Sequence, residues 1–156
     1  MDTARREQLL EQYREGAAAV RKAVEDVGDR LDVRPAGDGE WSAREIVHHL
    51  ADSEMTSAIR LRLLIAEDGP QIPGYDQDRF AERLHYDRPI EASLDAMEAA
   101  RRTSAELVAA LSEDEWRRSG THSESGPYSV ETWLEIYAAH PFDHAEQIRR
   151  AAGLPG

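Results

Sequence analysis

Cysteine is absent from this chain of 156 residues. That one absence excludes disulfides, thiolate zinc sites and a protein thiol nucleophile. A metal would have to be held by His, Asp or Glu, and thiol chemistry would need a thiol carried by a substrate. Runs of Lys and Arg are missing too. A formal charge of −12 and an isoelectric point near 4.9 argue against a general nucleic-acid binder, which needs a basic face to displace counterions from phosphates. The opening "MDTARREQLL" lacks the apolar core of a signal peptide, and no stretch approaches the length that spans a bilayer. The expectation is a cytoplasmic protein with neither a nucleic-acid nor a membrane partner. Convincing strand alternation is also absent, which leaves helix.

Four segments carry the helical period. The first runs from Thr3 to Val27, with Leu9, Leu10, Tyr13, Ala17, Val20 and Val24 on one side and Gly28 as its stop, before the turn-rich "RPAGDGE". The second opens at Ser42, where "SARE" has the form of a capping box with Glu45, and continues to about Ala66. The third spans Ile90 to Leu111 through Leu94, Met97, Ala100, Ala105 and Val108, with Pro89 near its first turn. The fourth begins at Ser129 or Val130 and stops at Gly153. Between the second and third lies a long connection, Asp68 to Arg88, with a short helix at "DQDRFAERL". "GTHSESGPYS" reads as a mobile loop. Connections of the first kind often help form a site. With 40% hydrophobic residues, the chain is expected to be one all-α domain over 1–156. Its architecture would be a four-helix bundle with a long crossover between helices 2 and 3.

The chain has six histidines, and helical phase at about 100° per residue separates them. In the second helix, Ile46, Leu50, Ser57, Leu61 and Leu64 define the inward face. His49 stands on its shoulder, and His48 points towards solvent. Glu54 also falls inward, where a carboxylate needs a partner. It could be a ligand, a base or a group that orients a ligand; Arg60 or Arg62 would be the plain structural partner. In the fourth helix His140 and His144 share one side, four residues apart, as in helical zinc motifs. Pro141 stands where a zinc-protease helix carries Glu, which argues against that class. Alone, the pair leaves metal ligation and a structural role both open. A third inward histidine from another helix makes the three-ligand pattern of a catalytic metal with open positions. His85 and His122 read as solvated loop residues. Pro141 cannot donate to the carbonyl of Tyr137, so a local kink is expected, with that carbonyl free for water or a side chain.

Two stretches, "GEWSAREIVHHLADSE" (Gly39 to Glu54) and "WLEIYAAHPFDHAEQI" (Trp133 to Ile148), resemble the paired signatures of the DinB-like, or YfiT-like, metal-dependent enzymes. Their order and spacing fit, so the resemblance covers most of the chain. It implies an up-up-down-down bundle, usually a homodimer, in which His49, His140 and His144 hold a divalent ion at one end. Characterised members of that family include thiol S-transferases that use bacillithiol or mycothiol, and a mycothiol-dependent maleylpyruvate isomerase. Others are named only for induction by DNA damage.

The expected function is therefore a metal-dependent thiol S-transferase, with zinc or nickel activating a small-molecule thiol against an electrophile. With water in place of the thiol, the same apparatus is a hydrolase. The alternative from another class is a non-catalytic stress-response dimer that binds metal or a ligand. Glu54, Asp52, Asp143 and Gln147 are candidates for fixing the imidazole tautomers. The Trp41 ring could pack at the bundle end, although a core role is the more usual one for a tryptophan, and the two long connections are candidates to line the substrate pocket.

Overall fold

The computed structural model describes residues 1–37 and 39–154. Asp38, inside the expected turn-rich connection, and residues 155–156, the end of the expected domain, lie outside the described residues. The elements in chain order are α1 (Thr3–Val27), α2 (Ala43–Ala66), β1 (Gln71–Ile72), α3 (Gln77–Arg83), α4 (Glu91–Ala109), α5 (Glu113–Trp116), β2 (Ser119–His122), β3 (Gly126–Ser129) and α6 (Val130–Ala151).

Local chemistry sets the starts of the long helices. Asp2 caps α1 by accepting from the Arg5 backbone N–H at 2.8 Å. Ser42 and Glu45 form the reciprocal capping box at the head of α2. Ser129 accepts from the Thr132 backbone N–H at the head of α6. Each side chain satisfies a backbone group that the first helical turn leaves without a partner.

The bundle is made by α1, α2, α4 and α6, and its core falls into two clusters. Leu9, Leu10 and Tyr13 meet Leu61, Leu64, Val108, Val130 and Trp133 at one end. Val20, Val27, Ile46, Leu50, Met97, Ala145 and Ile148 meet at the other. The start of α1 therefore lies with the ends of α2 and α4 and the start of α6. Helix directions along the chain run up, down, down, up. The crossover lies between α2 and α4 as expected, but the up-up-down-down order is moved round by one helix. The cause is the connection after α1, which stays at its own end: the Arg44 backbone N–H donates to the Leu31 carbonyl at 3.0 Å, so α2 has to run back antiparallel.

The structure also contains a small sheet that strand alternation did not indicate. β1 pairs parallel with β2, and β2 pairs antiparallel with β3, so "GTHSESGPYS" is a hairpin rather than a mobile loop. Strands of two and four residues are too short to show a period of two. The hairpin turns over residues 123–125 and re-enters the sheet at Gly126, whose φ of 78° favours a residue without Cβ. The crossover is thereby tied to the connection between α4 and α6.

One glycine sits in the middle of α1. A Cβ at Gly16 would lie 2.4 Å from Pro141 Cγ and 2.8 Å from Arg101 Nη2, so the close approach of α1 to α6 depends on the missing side chain. Gly16→Ala improves helix propensity by about 1 kcal/mol but overpacks the contact at about 1–3 kcal/mol. Net destabilisation is the expected result in chemical denaturation. A variant more stable than wild type would mean that the Pro141 ring yields easily.

Candidate metal centre

α2 carries His49 in its second turn, and α6 presents His140 and His144 one turn apart. One nitrogen from each of the three lies within 4.8 Å of the others. The His140 and His144 Nε2 atoms are 3.1 Å apart. The His49 ring stands edge-on to both, with centroids 5.7 Å from His140 and 4.9 Å from His144. Trp41 is half-buried and packs against His49, with ring centroids 4.9 Å apart, so it stands by the cluster and not in the core.

Burial and tautomer prepare these rings to be ligands. Desolvation, with the neighbouring imidazoles adding to it, pushes His49 down to about 4 and His140 down to about 3, and desolvation lowers His144 as well. All three are neutral near pH 7 and keep a lone pair. The His144 Nδ1–H donates to Gln147 Oε1 at 2.6 Å, which leaves Nε2 as the free lone pair facing His140. Among the described residues His49 Nδ1 is buried with no hydrogen-bond partner, a cost of roughly 1–3 kcal/mol for a polar atom taken from water.

A divalent ion fits this arrangement. Imidazole nitrogens held at about 2.0–2.1 Å from a tetrahedral zinc stand roughly 3.3 Å apart, close to the His140–His144 separation. An all-nitrogen donor set also suits several divalent metals.

Other expected participants are placed differently. His48 is buried, not solvent-facing: the crossover covers that side of α2, and His48 bonds to the Ser93 hydroxyl at 2.8 Å and the Arg88 carbonyl at 3.0 Å. His122 is also buried, in β2, where its Nδ1 accepts from the Glu124 and Ser125 backbone N–H groups of the hairpin. His85 is exposed, as expected. Asp52 accepts from the Tyr86 hydroxyl at 2.7 Å, and Asp143 is exposed. Among the expected orienting groups, Gln147 is the one that bonds to a histidine of the cluster.

Glu54 is inward and only 2% exposed, but its partners are neither Arg60 nor Arg62. Its Oε1 accepts from the Tyr13 hydroxyl at 2.5 Å, and its Oε2 from Arg101 Nη1 at 2.6 Å. Arg60 instead donates to the Tyr137 hydroxyl and the Pro73 carbonyl, and Arg62 to the Ala58 carbonyl. Arg101 was missed in the sequence although the signal was present. It lies on the apolar stripe of its helix, four residues after Met97 and four before Ala105, where an unpartnered cation would be costly.

Beside His144 opens a cavity of about 250 Å³ lined by Trp41, Gln77, Asp78 and Gln147 among others. The crossover thus reaches the cluster through α3, and β2 and β3 do not line this cavity. A larger groove of about 670 Å³ lies between α1 and α4, with Ala17, Ala18 and Ala105 in its lining, away from the three histidines. Among the described residues no helix is long and apolar enough to cross a membrane.

Known proteins share both sequence and fold with this chain. An Oceanobacillus iheyensis protein named "Putative metal-dependent hydrolase" is 41% identical over 110 residues, covering 70% of this chain and 64% of that protein. The match thus spans less than two thirds of that relative's length. A Bacillus cereus protein of the same name is 29% identical over 127 residues, 81% of this chain and 73% of its own. The solved structure of YfiT from Bacillus subtilis, described as a probable metal-dependent hydrolase with an unusual four-helix bundle topology, superposes with a TM-score of 0.89. It has 27% identity and covers 99% of this chain and 91% of that one. Residues 7–148 match the DinB superfamily, and the chain belongs to that superfamily.

Proposed function

We propose that His49, His140 and His144 hold a divalent ion and that the protein is a metal-dependent enzyme acting through a small nucleophile, a low-molecular-weight thiol in the leading reading. The observation that carries it is the convergence of three neutral imidazoles from two helices, His49 buried and His140 and His144 half-buried. Zinc or nickel suits the donor set. When bound, such an ion lowers the pKa of a coordinated thiol or water and so supplies the nucleophile at neutral pH.

The chain's own residues do the rest. Gln147 fixes the tautomer of His144 and keeps its Nε2 lone pair aimed into the cluster. Trp41 walls off His49 on one side. The cavity lined by Gln77, Asp78 and Gln147 gives a substrate access to the face of the cluster at His144. Asp78 is exposed and its carboxylate would meet the polar part of whatever enters. The protein offers no thiol of its own, so in thiol transfer both the nucleophile and the electrophile are small molecules. A hydrolase reading uses the same residues with water as the nucleophile, and the names of the Oceanobacillus and Bacillus relatives favour it.

Protein purified without a histidine tag is expected to carry stoichiometric divalent metal by elemental analysis, and His144→Ala is expected to lose it. Wild-type metal content in a variant with alanine at 49, 140 and 144 would sink the site. The loaded protein is expected to conjugate one of bacillithiol, mycothiol, glutathione or coenzyme A to a test electrophile. Ester or amide hydrolysis without thiol consumption would select the hydrolase. Neither activity would leave a metal- or ligand-binding dimer.

A further inference from the structure

Pro141 has no backbone N–H, so the helical hydrogen bond to the Tyr137 carbonyl cannot form. α6 nevertheless continues through it from Val130 to Ala151. The carbonyl is not left bare: Arg101 Nη2 donates to it at 3.1 Å, reaching across the bundle core from α4. We propose that Arg101 is a positioning residue for the histidine cluster. Its guanidinium stands in for the donor that Pro141 removes, and so fixes the turn of α6 that presents His140. The proposal rests on the reading of the three histidines as ligands.

Everything around the guanidinium holds it to that task. Arg101 is 2% exposed. Its Nη1 is paired with Glu54, and its Nε donates to the Tyr13 carbonyl at 3.0 Å, as does Nη2. Its plane lies over the Tyr13 ring, 3.8 Å from the centroid. Tyr13 closes the loop by donating its hydroxyl to the other Glu54 oxygen. A planar fork with donors on several edges can serve a carboxylate and two carbonyls at once; a lysine ammonium cannot reproduce that geometry. The turn from Tyr137 to Pro141 contains His140, and the Tyr137 ring meets the His140 imidazole edge-on at 5.8 Å. Gly16 lets the Pro141 ring and the guanidinium share the space beside α1. Glu54 thus acts on the cluster through Arg101, not by touching a histidine.

The test pairs loss of Arg101 with return of the missing donor. Arg101→Met/Glu54→Gln removes both charges together, so no buried ion is left unpaired. Zn²⁺ affinity, read by chelator competition, is expected to fall about tenfold to 100-fold. Adding Pro141→Ala restores an N–H to the Tyr137 carbonyl and is expected to recover most of that loss. Arg101→Lys, which keeps a charge for Glu54, is expected to show a smaller loss with the same rescue and serves if the double variant does not fold. A folded variant with wild-type affinity, or no rescue by Pro141→Ala, overturns the proposal, because a purely structural ion pair would change stability alone. If the wild-type protein takes up no Zn²⁺, the three-histidine reading fails. Positioning is then read in metal-free protein from the His140 ring ¹⁵N resonances. They are expected to shift in the double variant and return with Pro141→Ala; unmoved resonances overturn it.

Discussion

Arg101→Met alone is expected to cost about 3–5 kcal/mol of folding stability at pH 7, the penalty for leaving a buried charge without its partner. Burial already pushes the Glu54 carboxyl up, opposed by the Arg101 charge and by hydrogen bonds from Tyr13 and Arg101. With Arg101 gone, the main opposition disappears and the folded-state pKa climbs further above the unfolded value. A group raised in the folded state adds stability below its unfolded pKa and loses it as pH rises through the folded one. The deficit of Arg101→Met relative to wild type should therefore shrink as pH falls from 7 towards 5, measured by urea unfolding at several pH values. Adding Glu54→Gln should relieve part of the deficit and remove its pH dependence. A deficit that stays constant across that range would place the lost energy in packing instead of charge.

Metal-free protein is expected to lose stability steeply as pH falls below about 6.5. His49 and His140 have folded pKa values lowered to about 4 and about 3 from 6.5, and His144, His48 and His122 are lowered as well. Each lowered histidine binds its proton more readily in the unfolded chain. Its contribution is present above the unfolded pKa and is lost as pH falls towards the folded one. At 1.36 kcal/mol per unit, His49 alone accounts for roughly 3 kcal/mol by pH 4. The charges of the cluster repel one another, so protonation of one ring opposes the next. Alanine at 49, 140 and 144 should flatten the slope, leaving the smaller part due to His48 and His122. An apo protein whose stability does not change between pH 7 and 4.5 would contradict the burial of these rings.

Helical phase made the histidine cluster legible, because His49, His140 and His144 stand beside the apolar stripes that face the bundle interior. The same reasoning failed for His48. It counts one buried stripe per helix, whereas α2 is packed by α4 and α6 and covered on its outer side by the crossover near Tyr86 and Arg88. The four long helices were readable from caps and periodicity. Their directions depend on where a fifteen-residue connection from 28 to 42 comes to rest, which is a matter of tertiary packing. The sheet was invisible because four-residue strands of Ser, Gly, Thr and His carry no amphipathic pattern. Arg101 was overlooked because arginine reads as solvated unless three facts are combined: a stripe position, an inward Glu54 and a carbonyl orphaned by Pro141.

The pairing of α1 with α6 has a consequence for how the chain folds. The two helices are held at their heads by Arg6, which donates to Glu131 across 125 residues of sequence. Farther along the same seam Tyr13 packs on Trp133, and Gly16 lies against the Pro141 ring. Helical proteins usually fold fast because their contacts are local. Here α1 pairs with α6, the bundle helix farthest from it in sequence, so that face of α1 stays uncovered until α6 has been made. The α2–α4 pair can assemble earlier and carries the Glu54–Arg101 ion pair with it, but the Tyr13 hydroxyl reaches Glu54 only when α1 docks. Docking of α1 then covers the ion pair, and docking of α6 on α2 brings His140 and His144 to His49, so the cluster requires helices from both ends of the sequence.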